Sequence, residues 1–315
     1  MRDERSETEE PATDRLGDRY AGCLLGLACG DALGGPLEFV PRANVDRQYP
    51  DGLRTFVGGG WLHLAPGEIT DDTQMTLALA RSLAHCCDLD MDDLTARCLQ
   101  WLNSNPKDIG GTTRSALRLL EEGVPWNEAG ERVANGGRAA GNGSVMRCAP
   151  VALRYRGDGG ALRRASLDTA RMTHADPRCT WGAVAVNQAI ASLLDGGTKE
   201  AVTDAALAGI EHAEVCDCVR GAASRPREEV RSGGFVLDTI GAAFWCLLRH
   251  ETLEETIVAA VGLGGDADTT GAVAGALAGA CYGAEEIPSR WLQLLQPRAE
   301  LEDLAARLLA RNLVG

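Results

Sequence analysis

The sequence predicts an all-α fold, formed as a single compact domain of many helices. Apolar residues recur at helical spacing along most of the 315 residues, and strand-like alternation with paired turns is almost absent. In addition, no linker rich in proline or serine divides the chain. We therefore expect one domain over residues 17–315, preceded by a disordered acidic tail over residues 1–16.

Helical periodicity locates the individual elements, and loops that contain glycine or proline separate them. The predicted helices lie near residues 19–34, 73–87, 91–104, 110–122, 143–155, 160–172, 177–194, 199–210, 235–249, 252–262, 269–281 and 298–311. The predicted loops cover residues 35–69, 105–109, 135–142, 156–159, 212–234 and 282–289.

Two of these helices carry glycines at intervals of four residues, which lie on the same face of a helix. Glycine costs about 1 kcal/mol per helix position relative to alanine, so such stripes require a packing reason. We expect two central helices with very close neighbours, and one solution is that they pack against each other. The stripes are Gly22, Gly26, Gly30 and Gly34, and Gly271, Gly275, Gly279 and Gly283.

Composition limits the classes of function. The net charge is −14, and an acidic surface repels nucleic-acid phosphates, so no nucleic-acid partner is expected. The small-residue stretch 271–283 is shorter than the about 20 residues that a membrane span needs, so no membrane association is expected either. The polar N-terminus lacks the apolar region of a signal peptide, and many of the 11 cysteines lie in apolar stretches, which predicts a cytoplasmic protein with reduced thiols.

The first candidate chemical motif is Thr70-Asp71-Asp72, which directly precedes the helix predicted at 73–87. One interpretation is a helix N-cap, since acids in the first turn meet the positive end of the helix dipole. The second motif combines Asp266, Asp268 and Thr269 before a helix of small residues. Capping is the simple interpretation there as well.

The two motifs taken together favour metal binding over capping. If both acidic helix starts converge, four carboxylates within a few ångströms repel one another strongly, and bound cations resolve that conflict. Ligand sets made only of oxygen select hard ions such as Mg²⁺ or Mn²⁺. Two shared ions about 3.5–4 Å apart would account for the number of carboxylates.

Two further acids belong to the first glycine-striped segment. Glu38 lies just past the predicted helix, where it could complete a metal shell or act on water; a solvated surface acid is the alternative. Asp31 lies within the helix, where it could cap or pair structurally.

Several loops offer groups for a substrate pocket. Trp61 follows three glycines at 58–60, and Asp108 stands before a predicted helix. The loop 141–147 offers backbone amides and an asparagine at a helix N-terminus, which suits an anion or a sugar hydroxyl. His174 precedes another helix, and a structural or capping role is the alternative there.

Four of these segments together resemble the ADP-ribosylglycohydrolase family, in the same order along the chain from about residue 17 to 295. The segments are 26–34, 69–73, 141–147 and 264–271. Within the family, three more segments look most like the dinitrogenase reductase-activating glycohydrolase branch, which removes ADP-ribose from arginine: 58–61, 105–110 and 287–291.

The resemblance implies an all-α fold with a dinuclear centre of two Mg²⁺ (or Mn²⁺) ions. By motif match, the implied metal ligands are Thr70, Asp71, Asp72, Asp266, Asp268 and Thr269. The implied catalytic residues are Glu38, Asp108 and Asp72. The implied substrate-binding residues are Asp108, Asn142, Gly143, Ser144, Met146, Trp61, His174 and Phe235, with Phe235 where close relatives place a tyrosine against adenine.

The implied activity is hydrolysis of the N-glycosidic bond of ADP-ribosylated arginine, with ADP-ribose as product and an ADP-ribosylated protein as partner. One alternative keeps the enzyme but changes the linkage to serine, an ester or a nucleotide. Another alternative is a non-catalytic ADP-ribose-binding or immunity protein.

Overall fold

The structure, a computed structural model, describes residues 12–137 and 140–314. Within these residues the regular secondary structure is helical, and β-pairing is confined to two isolated bridges. The predicted all-α fold is thus confirmed. The α-helices of the described part are α1 Ala12–Gly34, α2 Arg42–Gln48, α3 Asp71–His85, α4 Met91–Asn103, α5 Gly111–Glu121, α6 Trp126–Asn135, α7 Ala149–Tyr155, α8 Gly159–Arg171, α9 Pro177–Leu194, α10 Lys199–Ala206, α11 Ala213–Arg220, α12 Val236–Arg249, α13 Leu253–Val261, α14 Ala267–Tyr282, α15 Ser289–Leu292 and α16 Arg298–Val314.

The two glycine stripes pack against each other at the centre of the fold, which is one of the two arrangements that the sequence allows. A Cβ atom added to Gly26 would lie 2.3 Å from the carbonyl oxygen of Gly275, and one added to Gly30 would lie 1.9 Å from that of Gly271. No side chain fits in such a contact, so backbone meets backbone along the seam of α1 and α14. Helices α9, α12 and α13 also pack on α14, which is buried along almost its whole length.

The antiparallel direction of this pair decides where the acidic motifs lie. Gly22 faces Gly279 near one end of the seam, and Gly34 faces Ala267 at the other. The C-terminal end of α1, followed by Glu38, therefore lies beside the N-terminal end of α14 with its acidic motif.

A buried carboxylate of α1 fixes the start of α3 at the same place. Asp31 is fully buried and accepts hydrogen bonds from the backbone N–H groups of Thr70 and Thr73, each at 3.0 Å. It also accepts the Thr70 hydroxyl at 2.8 Å and the Thr73 hydroxyl. The structural pairing expected for Asp31 is therefore present, and it holds the first acidic motif, Thr70-Asp71-Asp72, against α1.

Among the described residues, four short α-helices lie outside the predicted ranges. Helices α2 and α11 lie inside predicted loops, and α6 and α15 lie where no helix is predicted. Helix α2 buries only Val45, too few apolar residues for a periodic signal. Helix α6 contains Gly130, and a glycine weakens the helical pattern in the sequence. The glycine is needed for packing, because a Cβ there would lie 2.0 Å from the carbonyl oxygen of Arg171.

Three predicted helix boundaries are displaced by four residues or more. The helix predicted at 143–155 begins at Ala149, with Pro150 in its first turn, while residues 142–144 form a 3₁₀ turn. Helix α10 ends at Ala206 rather than 210, before the left-handed Gly209. Helix α1 begins at Ala12, inside the stretch 1–16 predicted as a disordered tail; residues 1–11 lie outside the described part.

Over the described ranges, no single helix has both the length and the apolar character to cross a membrane. The segment Arg15–Leu37 passes that test only as a pair with α2, and the two are bent by 96°.

Candidate active site

A cleft of about 400 Å³ opens where the C-terminal end of α1 meets the N-terminal ends of α3, α5 and α14. It gathers residues that are far apart along the chain, as the sequence motifs predict. The predicted site residues that line it are Glu38, Trp61, Asp71, Asp72, Asp108, Asn142, Gly143, Met146, His174, Asp266, Asp268 and Thr269.

Carboxylates from different segments converge in this cleft. Glu38, Asp108 and Asp268 each present an oxygen, and these oxygens lie within 4.8 Å of one another. Asp72 joins the two acidic motifs, since its Oδ2 lies 3.5 Å from the hydroxyl of Thr269, a residue 197 positions away. The convergence on which the metal interpretation depends is therefore present in the fold.

Asp71, Asp72 and Asp268 lie in the first turns of α3 and α14, as the capping interpretation expects, but the N-cap side chains themselves do not cap these helices. Thr70 and Asp266 are the N-cap residues of α3 and α14, and neither side chain caps its helix. Asp266 instead accepts a hydrogen bond from Asn142 Nδ2 at 2.9 Å, which ties the loop 141–147 to the second acidic motif. The Asp71 Oδ2 atom lies 3.4 Å from the backbone N–H of Gly110, at the start of α5.

Burial is the main cause that raises the pKa values of these carboxyls, and neighbouring carboxylates add to it. The pKa values of Asp71, Asp72 and Asp268 are raised well above their ordinary range. Burial raises the pKa of Glu38 to about 8, and the pKa of Asp108 is raised as well. Full ionisation of this cluster therefore requires compensating positive charge.

The donor set fits a hard divalent cation. Among the described residues, Asp72 Oδ1 is a buried oxygen that accepts no hydrogen bond, although it needs a partner in a dry interior. The Thr70 hydroxyl lies 2.8 Å from Asp31 Oδ1 and 3.3 Å from Asp72 Oδ2, so its oxygen belongs to the same buried group of oxygens. The surrounding ligand atoms are oxygens, which Mg²⁺ and Mn²⁺ prefer.

A buried arginine supports the opposite wall of the cleft. Arg147 is 3% exposed and donates to the carbonyl oxygen of Gly143 at 2.7 Å and to the hydroxyl of Thr173 at 2.6 Å. The Thr173 hydroxyl lies 2.8 Å from Nδ1 of His174, whose ring packs beneath Gly143. A Cβ at Gly143 would lie 2.6 Å from that ring, which explains the glycine.

This network defines the state of His174. Burial, followed by the charge of Arg147, lowers the pKa of His174 to about 3, so the ring is neutral at physiological pH. Because Arg147 donates to the Thr173 oxygen, the Thr173 proton is available to Nδ1 of His174. We therefore expect the neutral ring to carry its proton on Nε2, which would be a donor at the wall of the cleft.

We expect nitrogen-15 NMR to find His174 neutral and protonated on Nε2 from about pH 8 down to about pH 5, where an ordinary histidine is already charged. The exchange Thr173→Val should free the ring to change tautomer and should lower the free energy of unfolding by about 1–3 kcal/mol, since a buried donor of Arg147 and the Nδ1 acceptor of His174 lose a partner. Thr203→Val on α10, which does not line the cleft, is the control. A charged His174 at about pH 5 in the wild type would contradict this assignment.

Three predicted side chains do not line the cleft as the described residues form it. Thr70 lies behind it against Asp31. Ser144 is buried and donates to the carbonyl oxygen of Cys179 at 3.3 Å. Phe235 pairs through its backbone with Gly141, and its ring lies 5.4 Å from the Arg178 guanidinium.

Some residues of the cleft are not among the predicted ones. Phe39 lines its mouth, and residues 109–113 contribute the start of α5. The sequence contains one indication of this, because Phe39 directly follows the candidate site residue Glu38. Arg147 belongs to a recognised motif, but a buried arginine without a carboxylate partner is visible only in the fold.

The fold is that of a known class of hydrolases. The family model described as ADP-ribosylglycohydrolase matches residues 12–314, so the chain belongs to that family. The prediction of an ADP-ribosylglycohydrolase is thereby confirmed.

Similar proteins cover nearly the whole chain. This chain is 38% identical over 292 residues to the ADP-ribosyl-(dinitrogen reductase) glycohydrolase of Rhodospirillum rubrum. The aligned region covers 90% of this chain and 92% of that protein. This chain is 32% identical over 309 residues to the ADP-ribosylarginine hydrolase Tri1 of Serratia proteamaculans, covering 95% and 80%. A solved structure described as an ADP-ribosylglycohydrolase-related protein complex superposes with a TM-score of 0.80 at 36% identity, covering 95% of this chain and 99% of that one.

Proposed function

We propose that this enzyme hydrolyses the N-glycosidic bond between ribose and an arginine guanidinium of an ADP-ribosylated protein, and so releases ADP-ribose. The main support is the buried carboxylate cluster in a cleft that also offers backbone amides. The similarity to relatives whose names specify ADP-ribosylarginine or an ADP-ribosylated reductase supports arginine as the acceptor.

We propose that the cluster holds two Mg²⁺ (or Mn²⁺) ions. Their ligands would come from the two acidic motifs: Thr70, Asp71, Asp72, Asp266, Asp268 and Thr269. When bound, such ions offset the repulsion among the carboxylates and favour deprotonation of water at neutral pH. The partnerless Asp72 Oδ1 atom supports this part of the proposal.

The substrate would lie with its anionic part at the wall formed by α5 and the loop 141–147. Helix N-termini and backbone amides favour phosphate, and the neutral Nε2–H group of His174 adds a donor. Asn142, held by Asp266 and Thr239, is fixed beside the cluster to meet a ribose hydroxyl. Met146 contributes apolar surface to the same wall.

The chemical step moves one proton. The water oxygen bonds to the ribose C1″ atom as the bond to the guanidinium nitrogen breaks, and a proton passes from water to that nitrogen. Glu38 and Asp108 are the carboxyls that we propose for this transfer, since both lie within 4.8 Å of Asp268 at the edge of the cluster. Asp72 orders the cluster from its buried side.

The test is release of ADP-ribose from an ADP-ribosyl-arginine peptide and from a matched ADP-ribosyl-serine peptide, with added Mg²⁺, with Mn²⁺ and after chelation. We expect turnover of the arginine linkage, dependent on the added ion, and weaker turnover of the serine linkage. Full activity in a chelator would contradict the metal proposal.

Other outcomes would identify the alternatives. Preferred hydrolysis of the serine linkage would show that the acceptor is a different one. Binding of ADP-ribose without turnover of either peptide in any metal would indicate a non-catalytic protein.

A further inference from the structure

Two aromatic rings stand exposed at the mouth of the cleft. Phe39 is 67% exposed and Trp61 is 50% exposed, and their ring centroids lie 5.7 Å apart at an interplanar angle of 35°. Both line the cleft that contains the carboxylate cluster. Isolated exposed apolar residues are ordinary, but two adjacent rings beside a catalytic cleft call for a partner.

The backbone holds Phe39 in a costly conformation. Its φ angle is +61°, a left-handed conformation that phenylalanine rarely adopts. The Phe39 N–H donates to the carbonyl oxygen of Gly265 at 2.6 Å, which connects this residue to the segment just before the second acidic motif. Strain of this kind is characteristic of functional sites. Here it leaves the apolar ring of Phe39 exposed to solvent.

Trp61 is fixed just as firmly. Gly59 and Leu64 exchange backbone hydrogen bonds of 2.7 and 2.9 Å, which close the loop that carries it. A Cβ at Gly60 would lie 2.9 Å from Cα of Pro36, so the loop packs directly on the segment before Glu38. The indole N–H donates to Glu38 Oε2 at 2.6 Å. The pair is therefore preorganised and connected to the carboxylate cluster.

Charge and chemistry indicate which part of the substrate lies here. Backbone amides and the start of α5 form the wall suited to phosphate, whereas Phe39 and Trp61 flank the carboxylate of Glu38. A planar cation stacks on aromatic faces and is attracted by a nearby carboxylate. Arginine has this planar cation and an apolar stem.

We propose that Phe39 and Trp61 form an acceptor platform, on which the guanidinium and side-chain stem of the modified arginine stack while ADP-ribose occupies the rest of the cleft. The platform rests on the proposed arginine-directed activity and adds to it the residues that select the acceptor. It contacts the leaving side of the scissile bond and not ADP-ribose.

The test compares two constants in each variant: KM for an ADP-ribosyl-arginine peptide and the inhibition constant for free ADP-ribose. Phe39→Leu keeps an apolar side chain but removes the π face. We expect its KM to rise about 3- to 10-fold, from the size of cation–π interactions, with the inhibition constant for ADP-ribose unchanged. Phe39→Tyr, which keeps the ring, should restore the wild-type KM.

Phe235→Leu is the matched control, since it makes the same exchange at a ring outside the platform. We expect it to leave the ratio of the two constants unchanged. Equal weakening of both constants in Phe39→Leu, or no rise in its KM, would overturn the platform while leaving the arginine activity intact. Failure of the wild type to cleave the arginine linkage would overturn the proposed function and the platform together.

Discussion

Replacing Asp72 with asparagine should reduce turnover of ADP-ribosyl-arginine by about 10²- to 10⁴-fold. Loss of a charged metal ligand removes several kcal/mol of transition-state stabilisation, and each 1.36 kcal/mol is a factor of ten in rate. Asparagine has nearly the shape of aspartate, so the hydrogen-bonding geometry of the start of α3 should persist. The measurement is steady-state release of ADP-ribose at saturating Mg²⁺ or Mn²⁺.

Although Asp72→Asn should lower turnover, it should not lower the stability of the metal-free protein. Burial, followed by the charge of Asp31, raises the pKa of Asp72 well above its ordinary range. A carboxyl whose pKa is raised on folding destabilises the metal-free folded chain as the pH rises above the ordinary value. Metal-free Asp72→Asn should therefore be at least as stable as metal-free wild type at neutral pH.

The effect of added metal on stability then shows whether Asp72 is a metal ligand or only a buried acid. A cation at about 100 times its dissociation constant should stabilise the wild type by about 2.7 kcal/mol, and Asp72→Asn should lose most of that gain. Asp204→Asn, at an exposed position of α10, should behave like the wild type in both assays. Undiminished stabilisation of Asp72→Asn by Mg²⁺ and Mn²⁺ would exclude Asp72 as a ligand.

The sequence predicts much of this site because its parts follow local rules. Glycines at intervals of four point to a seam without side chains, and carboxylates at two helix starts repel one another unless something compensates. The seam then sets the distance between Glu38 and Asp268 through the contact of Gly34 with Ala267. The local sequence pattern and the packing of the helices agree at this seam, so the convergence of the two acidic motifs could be predicted from the sequence.

The remaining features depend on contacts between distant segments. Phe39 is left-handed and donates its N–H group to Gly265, and no local signal specifies that partner. Among the described residues, Arg147 has no carboxylate partner, because it donates to the carbonyl oxygen of Thr169 and the hydroxyl of Thr173, which follow in another segment. Both features require the folded chain, because propensity and periodicity describe only neighbours within one element.

The close approach of α1 and α14 leads to the largest expected effect on stability. Gly30→Ala should lower the free energy of unfolding by about 4 kcal/mol or more, the range reached when a core cannot accommodate added volume. The new Cβ would lie 1.9 Å from the carbonyl oxygen of Gly271 and 2.8 Å from the backbone nitrogen of Ala272. Both are backbone atoms, so no side chain can rotate away and the helices must separate. Urea denaturation followed by circular dichroism measures the loss.

Gly17→Ala tests the same exchange in the same helix where there is space. Its Cβ would lie 3.7 Å from Cδ2 of Leu309, an ordinary contact, so the helix propensity of alanine should stabilise the protein by up to about 1 kcal/mol. If Gly30→Ala were as stable as Gly17→Ala, the seam would not be as close as described. Because that seam sets Glu38 beside the start of α14, a folded Gly30→Ala protein should also bind Mg²⁺ or Mn²⁺ more weakly, whereas Gly17→Ala should bind it normally.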